Sequence, residues 1–408
     1  MSDYIELGSV AEFVSDRIDI ERVNKQNYIS TENMIENKGG VINAKSLPTS
    51  KTVLNYKPED ILVSNIRLYF EKIWFADKEG GSSADVLVLR TAKGYIPKFI
   101  YYVLSDSNFF KYADVTSKGT KMPRGDKKAI LKYIIPDYPI YYQKKITTIL
   151  STYDNLIENN NRRIQILEQT AEELYKEWFV RMRFPGYEKT KFDKGIPEGW
   201  GIKKVDEIIS FDIGGGWGEE SLMNDFTEQA YVIRGTDIPN MKYGEFNYEL
   251  LRYHKKSNLK SRKLESTDII FEASGGSKDQ RLGRTFYVTE EILSMYDNDV
   301  ICASFCKLIK IEDKYLSWFF YNYLRYAYQT EILSTFEVQS TGISNFGFSK
   351  FKKHHQLLVP TSNVMEQFYK LTYPMLLEMQ KLGNKNQNLK KQRDLLLPRL
   401  MNGTITVK

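Results

Sequence analysis

The sequence predicts an α+β protein with a pseudo-two-fold internal repeat. Two mixed α/β globular domains are separated by two long α-helices that form an antiparallel coiled coil. Three observations predict this. Apolar residues recur at heptad spacing over residues 146–178 and, less strictly, over 368–400. Strand-type runs, glycine-rich loops and short helices precede each of these stretches in the same order. The chain has 408 residues, enough for two domains that each bury their own core.

The elements follow in chain order. Residues 1–142 form the first globular domain, with strand-type runs in "DILVS" and "DVLVLR", glycine loops in "NKGG" and "GGSS", and a helical stretch in "IPKFIYYVLSDSNFF". Residues 143–183 form the first long helix. Stepping by four and three from Ile146 lands on Leu150, Tyr153, Ile157, Asn160, Ile164, Leu167, Ala171, Leu174 and Trp178, a seam in which Asn160 alone is polar. A buried amide at such a place specifies register at some cost in stability. At ~1.5 Å per residue the stretch 146–178 spans about 50 Å. Pro185 and Gly186 in "RFPGY" are its stop signal.

Residues 184–364 form the second globular domain, with "DIIFEA" and "DVICASF" as strands, "DIGGGWGE" and "ASGGS" as loops, and "YLSWFFYNYLRYAYQTEIL" as a helix. Residues 365–408 form the second long helix. Its seam runs through Phe368, Thr372, Met375, Met379, Leu382, Asn386, Leu389, Arg393, Leu396 and Leu400. Pro374 is expected to kink or delay it, and Gly383 to cost ~1 kcal/mol relative to alanine.

The two halves correspond piece by piece. "EDILVSNIR" from Glu59 resembles "TDIIFEASG" from Thr267, "ADVLVLR" from Ala84 resembles "NDVICAS" from Asn298, and "NYIST" from Asn27 resembles "AYVIRGTDI" from Ala230. Pro136 and Gln143 are spaced like Pro360 and Gln367. A repeat of about 200 residues means duplicated domains and not a solenoid.

Composition narrows the function. Lys and Arg exceed Asp and Glu by 58 to 52, a net charge of +6 that permits nucleic-acid binding without requiring it. The 28 tyrosines are mostly core material. Cys302 and Cys306, with three histidines in the chain, make neither a disulfide framework nor a zinc site and read as small buried hydrophobes in one strand. The N-terminus lacks the pattern of a signal peptide, and no apolar run approaches the ~18 residues of a membrane helix, so a cytoplasmic protein without membrane contact is expected.

No catalytic motif stands out. An Asn/Asp-Pro-Pro-aromatic motif for adenine methylation is absent, and so is a G-x-x-x-x-G-K-[ST] phosphate loop. "ENK" at Glu36–Lys38 is a tripeptide that Lys/Glu-rich chains produce by chance. His254, His354 and His355 lack partners at metal-ligand spacing, and the last two are expected to cap a strand.

The stretch "LEQTAEELYKEWFVRMRFPGYEK…IPEGW", with "DILVSNIR", "DIIFEASGG", the two Pro-x6-Gln helix entries and "RLMNGTI" at the C-terminus, resembles the specificity subunit of Type I restriction–modification enzymes over the whole chain. The resemblance implies that the globular domains are target-recognition domains, each reading one half of a split target in double-stranded DNA. It implies that the helices set the spacing and dock two methyltransferase subunits, with restriction or motor subunits joining the full complex. It also implies a chain without catalysis or bound cofactor, S-adenosylmethionine, ATP and Mg being held by the partners. The weaker second seam departs from the pattern, and the variable globular parts leave the target bases open.

Base edges are read by polar side chains on loops that also hold phosphates. In the first domain the candidates are Ser64, Asn65, Arg67, Tyr69 and Lys72, and in "TSKGTKMPRGDKK" Lys118, Thr120, Lys121 and Arg124. In the second they are Ser274, Ser277, Lys278 and Arg281, and in "EVQSTGISNFG" Gln339, Thr341 and Asn345. Two other function classes compete with this reading. One is a coiled-coil scaffold whose domains bind something other than DNA, and the other is a self-sufficient nuclease or methyltransferase.

Overall fold

A computed structural model of the chain describes residues 3–119, 123–275, 280–339, 344–405 and 407. It contains two compact units: residues 1–156 with 389–408, and residues 157–388. Each long helix therefore contributes one part to each unit.

In the first unit an antiparallel sheet runs in the order Ala11–Phe13, Val86–Thr91, Ile61–Ser64, Ile73–Phe75. Ile61, Val63, Leu87 and Leu89 face a core shared with Phe99, Ile100 and Phe109 of the helices Pro97–Leu104 and Ser107–Val115. A second sheet runs Arg17–Asp19, Thr52–Tyr56, Gly80–Ser82, Tyr28–Ile29, its last pair parallel. The ribbon Asp3–Glu6 with Ile134–Asp137 leads into the first long helix. That helix starts at Ile140, directly after Pro139. Gln143, buried, accepts from the Ile96 N–H (2.9 Å) and donates to the Tyr138 carbonyl (2.7 Å). Gln367 instead donates to Asn363 within its own helix (3.3 Å), so the two Pro-x6-Gln entries differ in physics.

The second unit repeats this plan. Its antiparallel sheet runs Phe211–Gly214, Cys306–Lys310, Ile269–Glu272, Thr285–Tyr287, and its second sheet Leu251–Lys255, Phe226–Ile233, Asp299–Cys302, the last pair again parallel. The ribbon Gly201–Lys204 with Gln356–Val359 leads into the second long helix. Helix Lys314–Gln329 buries Phe319, Phe320 and Leu324 against Tyr175, Phe179 and Phe368 of the long helices.

The structure re-registers the repeat. "DVICAS" is the partner of "GGSSAD", not of "ADVLVLR": Gly80–Ser82 and Asp299–Cys302 hold the parallel pairings, and the Ser83 and Ala303 amides donate to the Ile29 and Ile233 carbonyls, both at 2.8 Å. Val86–Thr91 corresponds to Cys306–Lys310, so Cys302 and Cys306 lie on two successive strands and not on one. A polar signature recurs with the backbone. Asp60 accepts from the Lys57 amide and pairs with Arg90 through two bonds (2.8 and 2.7 Å). Asp268 accepts from the Glu265 amide and pairs with Lys310 (3.5 Å). The residue before each aspartate, Glu59 or Thr267, is left-handed.

The long helices pair antiparallel inside each unit. In the second unit Asn160 donates to Asn386 (2.8 Å), Asn386 donates to Asn161 (2.8 Å), and Arg163 meets Glu378 (2.7 Å). Ile157, Ile164, Met379 and Leu382 are buried along this stretch, and Leu167, Leu174 and Met375 are half-buried. In the first unit Ile146 and Leu150 are buried with Leu397 and Leu400, Leu389 and Leu396 are half-buried, and Arg393 pairs with Asp154 (2.7 Å). The polar seam residues thus meet polar partners, which is the condition for burying them.

The first helix ends in a π-turn at Lys176–Val180, before Pro185 acts. The second runs unbroken from Ser362 to Met401, and Pro374 neither delays nor ends it. Burial on both sides outweighs the lost N–H: Trp318 Nε1 donates to Thr372 Oγ1 (2.9 Å), Tyr369 and Tyr373 stack at 4.6 Å, and Leu376 and Met379 are buried.

The acidic residues of "LEQTAEELY" have a structural task. Arg325, on helix Lys314–Gln329, holds Glu168 (2.8 Å) and Glu172 (2.7 Å). Glu168 also takes Lys242 and the Tyr243 hydroxyl. Burial raises the Glu168 pKa, but Lys242, Tyr243 and Arg325 outweigh it and hold the carboxyl below its ordinary value. Burial pushes the Lys242 ammonium down to about 8. His355 does not cap a strand through its ring, which stacks on Phe351 (5.0 Å) and bonds the Tyr323 hydroxyl. No helix among the described residues is long and apolar enough to cross a membrane.

Two predictions follow from the packing of the second unit. A Cβ at Gly383 would lie 1.5 Å from the Tyr243 carbonyl oxygen. Gly383→Ala should therefore destabilise by about 1–3 kcal/mol, although alanine favours a helix by ~1 kcal/mol; denaturant unfolding reads the sign. The second concerns Asp268, whose carboxyl burial lifts to about 6. An unfolded aspartate titrates near ~3.9, so the folded chain holds the extra proton between these values and loses stability as pH rises through them. The stability of Asp268→Asn relative to the parent should improve between about pH 4.5 and about pH 6.5, and parallel stability–pH curves would refute this.

Candidate nucleic-acid interface

The loops singled out in the sequence converge in each unit. In the first, Ile66 pairs with Arg124 and Arg124 with Lys118, forming a miniature three-stranded patch. The Lys118–Arg124 pair is closed by backbone bonds of 2.8 and 2.9 Å, and the Gly125 amide donates to the Asn65 carbonyl (3.4 Å). In the second, Ser274–Gly275 pairs with Ser344–Phe346, which pairs with Glu337–Gln339. The topology is the same, and a short helix follows each patch: Lys127–Leu131 in one, Phe348–His354 in the other.

The chemistry of the two patches differs. In the first, Lys118 pairs with Asp126 and Arg124 with Asp85 (2.8 Å). Lys118 and the Lys128 and Ala129 amides hold the Asp126 carboxyl below its ordinary range, as suits the N-cap of a short helix. Ser64 is buried and donates to the Ile66 carbonyl (3.0 Å). Asn65 is buried, and its side-chain oxygen has no hydrogen-bond partner among the described residues. Lys72 donates to the Thr31 carbonyl (3.0 Å). Arg67 and Tyr69 project outward, and Arg67 has no side-chain bond or ion pair among the described residues.

In the second patch Ser274 donates to the Asn345 side-chain oxygen (2.7 Å), and Arg281 pairs with Glu331 (2.6 Å) outside the three strands. Buried Glu272 closes the base of the loop through two bonds to Arg284 (2.7 and 2.5 Å). Thr120, Lys121, Ser277, Lys278 and Thr341 lie outside the described residues, and so does the side chain of Gln339.

A third loop belongs to each patch and carries no charge run that marks it in the sequence. The Asp85 carbonyl accepts from the Asn65 amide (2.8 Å), and the corresponding Phe305 carbonyl accepts from Ala273 (2.9 Å) and Ser274 (3.0 Å). The two positions are structural equivalents with opposite chemistry, since Asp85 binds Arg124 whereas Phe305 is an exposed ring.

Left-handed backbone gathers beside the first patch. Arg67 (φ +52°) and Glu71 (φ +50°) bracket the turn Leu68–Phe70, and Asn37 (φ +55°) and Lys38 (φ +61°) face them. Such non-glycine conformations cost roughly 1 kcal/mol or more each, and packing must hold them. Lys38 of the "ENK" tripeptide is part of that packing, paired with Glu71 at 3.0 Å.

The glycine loop "DIGGGWGE" shows close packing in place of a phosphate cradle. A Cβ at Gly215 would lie 2.1 Å from the Cys302 carbonyl, and one at Gly218 2.6 Å from His254. Among the described residues no group of three or more His, Cys, Asp or Glu could hold a metal ion.

Residues 2–169 match the Type I restriction modification DNA specificity domain. The chain is 26% identical to the MjaIX specificity subunit of Methanocaldococcus jannaschii, over 77% of this chain and 70% of that protein. It is 23% identical to the HindI specificity subunit of Haemophilus influenzae, over 99% of this chain and 100% of that one. Among solved structures it is similar in fold to the S subunit of a Type-I restriction-modification system from M. genitalium, with a TM-score of 0.60 and 14% identity over 100% of this chain and 97% of that chain. Residues 2–169 thus carry a Type I restriction modification DNA specificity domain, and the chain as a whole is similar to Type I restriction enzyme specificity subunits, which are DNA-recognition proteins without catalysis of their own.

Proposed function

We propose that each unit reads one half of a bipartite target in double-stranded DNA, and that the paired helices set the distance between the halves and dock two methyltransferase subunits. The observation that carries this reading is the recurrence of the three-stranded patch at the same topological place in both units. One scaffold with two side-chain sets suits two different half-targets. S-adenosylmethionine, ATP and Mg belong to the methyltransferase and motor subunits in this scheme, and the complex works in the cytoplasm.

The patches divide the labour. Cations held by Asp85 and Asp126 fix the first on phosphates, while the hydroxyl and amide groups of Ser274 and Asn345 suit base edges. Replacing Lys118, Lys121 and Arg124 together by alanine should weaken duplex binding of the assembled methyltransferase. It should also flatten the log–log salt dependence by roughly one unit per lost phosphate contact. Unchanged affinity and slope would remove these residues from the interface.

Spacing gives a separate test. Half-sites read from one face of a duplex lie about 34 Å apart or at multiples of that distance. Inserting one heptad into both long helices should change the number of base pairs tolerated between the modified half-targets, as read by methylation-aware sequencing. A conserved gap would overturn the ruler reading.

A further inference from the structure

Resting on the recognition reading, the geometry points to the strained turn at Arg67–Glu71 as a preformed base-reading finger, in which Arg67 reads a guanine edge and Tyr69 packs on the neighbouring base of the first half-target. Several independent features meet there. The turn is closed from inside by Leu68, which is 2% exposed, and by the Ser64 hydroxyl on the Ile66 carbonyl. From outside, the Asn37 and Lys38 amides donate to the Phe70 and Glu71 carbonyls (2.8 and 2.9 Å), and Lys38 pairs with Glu71. These bonds hold four left-handed non-glycine residues in one place. A loop that served only as a connection would relax or carry glycine at such positions.

The side chains presented are those the task needs. Tyr69 is 58% exposed, with its ring 4.6 Å from Phe70 behind it. Phe70 is itself backed by the Lys72 ammonium at 5.6 Å. Arg67 leaves the same turn with its five donors free among the described residues, whereas Arg124 and Lys118 beside it are already bound to Asp85 and Asp126. A guanidinium is matched in two bonds by guanine O6 and N7, and an aromatic face packs on a base or a thymine methyl. The bonded turn fixes the backbone from which both side chains leave, so little backbone freedom is lost on binding.

The test uses the full chain assembled with its methyltransferase subunits and a randomised duplex library. Arg67→Gly relieves the left-handed strain while deleting the reader, so the inference expects unchanged or higher thermal stability together with loss of preference at one guanine of the first half-target. Discrimination there should fall roughly 10- to 100-fold. Tyr69→Ala should blur the adjacent position, and Tyr69→Phe should restore it. Both variants should leave the second half-target intact. A parent enzyme that enriches a split motif which Arg67→Gly leaves untouched overturns this inference alone. A parent that enriches no sequence overturns the recognition reading and the finger with it.

Discussion

The buried amide pair of Asn160 and Asn386, with exposed Asn161 bonded at its edge, is the constraint on which the paired helices depend. An apolar seam of Ile157, Ile164, Met379 and Leu382 supplies attraction but tolerates displacement by a heptad, because one aliphatic side chain replaces another at little loss. Two amides bonded at 2.8 Å tolerate no such shift, since each would be left buried without a partner. Arg393 and Asp154 apply the same logic in the first unit, where the Tyr102 hydroxyl adds a third member (2.5 Å). Register is therefore specified by polar groups at the expense of some stability, and the seam that looks weaker in the sequence is the more selective one.

The repeat separates what folding needs from what recognition needs. The aspartate before the central strand, its bond to an amide three residues back, its cation across the sheet and the left-handed residue ahead of it occur in both units. The exposed positions do not repeat. Asp85 answers to Phe305, and a patch with charged pairs answers to one with a hydroxyl and an amide. Buried geometry is held while the outward chemistry differs between the two units.

Much of this was legible in the sequence. The first helix was, because its seam keeps strict heptad spacing; so were the strands, because apolar runs stand between glycine loops. Pro374 was misleading: a sequence shows the lost N–H but not Trp318, Thr372 and the stacked tyrosines that compensate for it. The strand correspondence slipped because "DVLVLR" and "DVICAS" share an Asp-Val start, while hydrogen-bonded neighbours decide which strand is which. Cations and small polar residues marked two loops of each patch. Asp85 and Phe305 escaped because their role runs through a backbone carbonyl. The left-handed turn at Arg67 escaped because nothing in "NIRLYFEK" announces positive φ without glycine or asparagine at the strained places.

Gly383 of the second long helix and Gly244 of the adjoining loop meet where two backbones touch, and an added methyl on either would sit within about 2 Å of the other chain segment. This notch is shared property of helix and domain. Whoever transplants a foreign globular half onto these helices inherits an obligation at position 243–244: a graft that brings a bulkier bend will be held off the helix, and one that brings none will leave a groove. The boundary for exchanging recognition modules in this protein is thus a matched pair of hydrogens, and compatibility between donor and host can be screened at those two glycines before any DNA is considered.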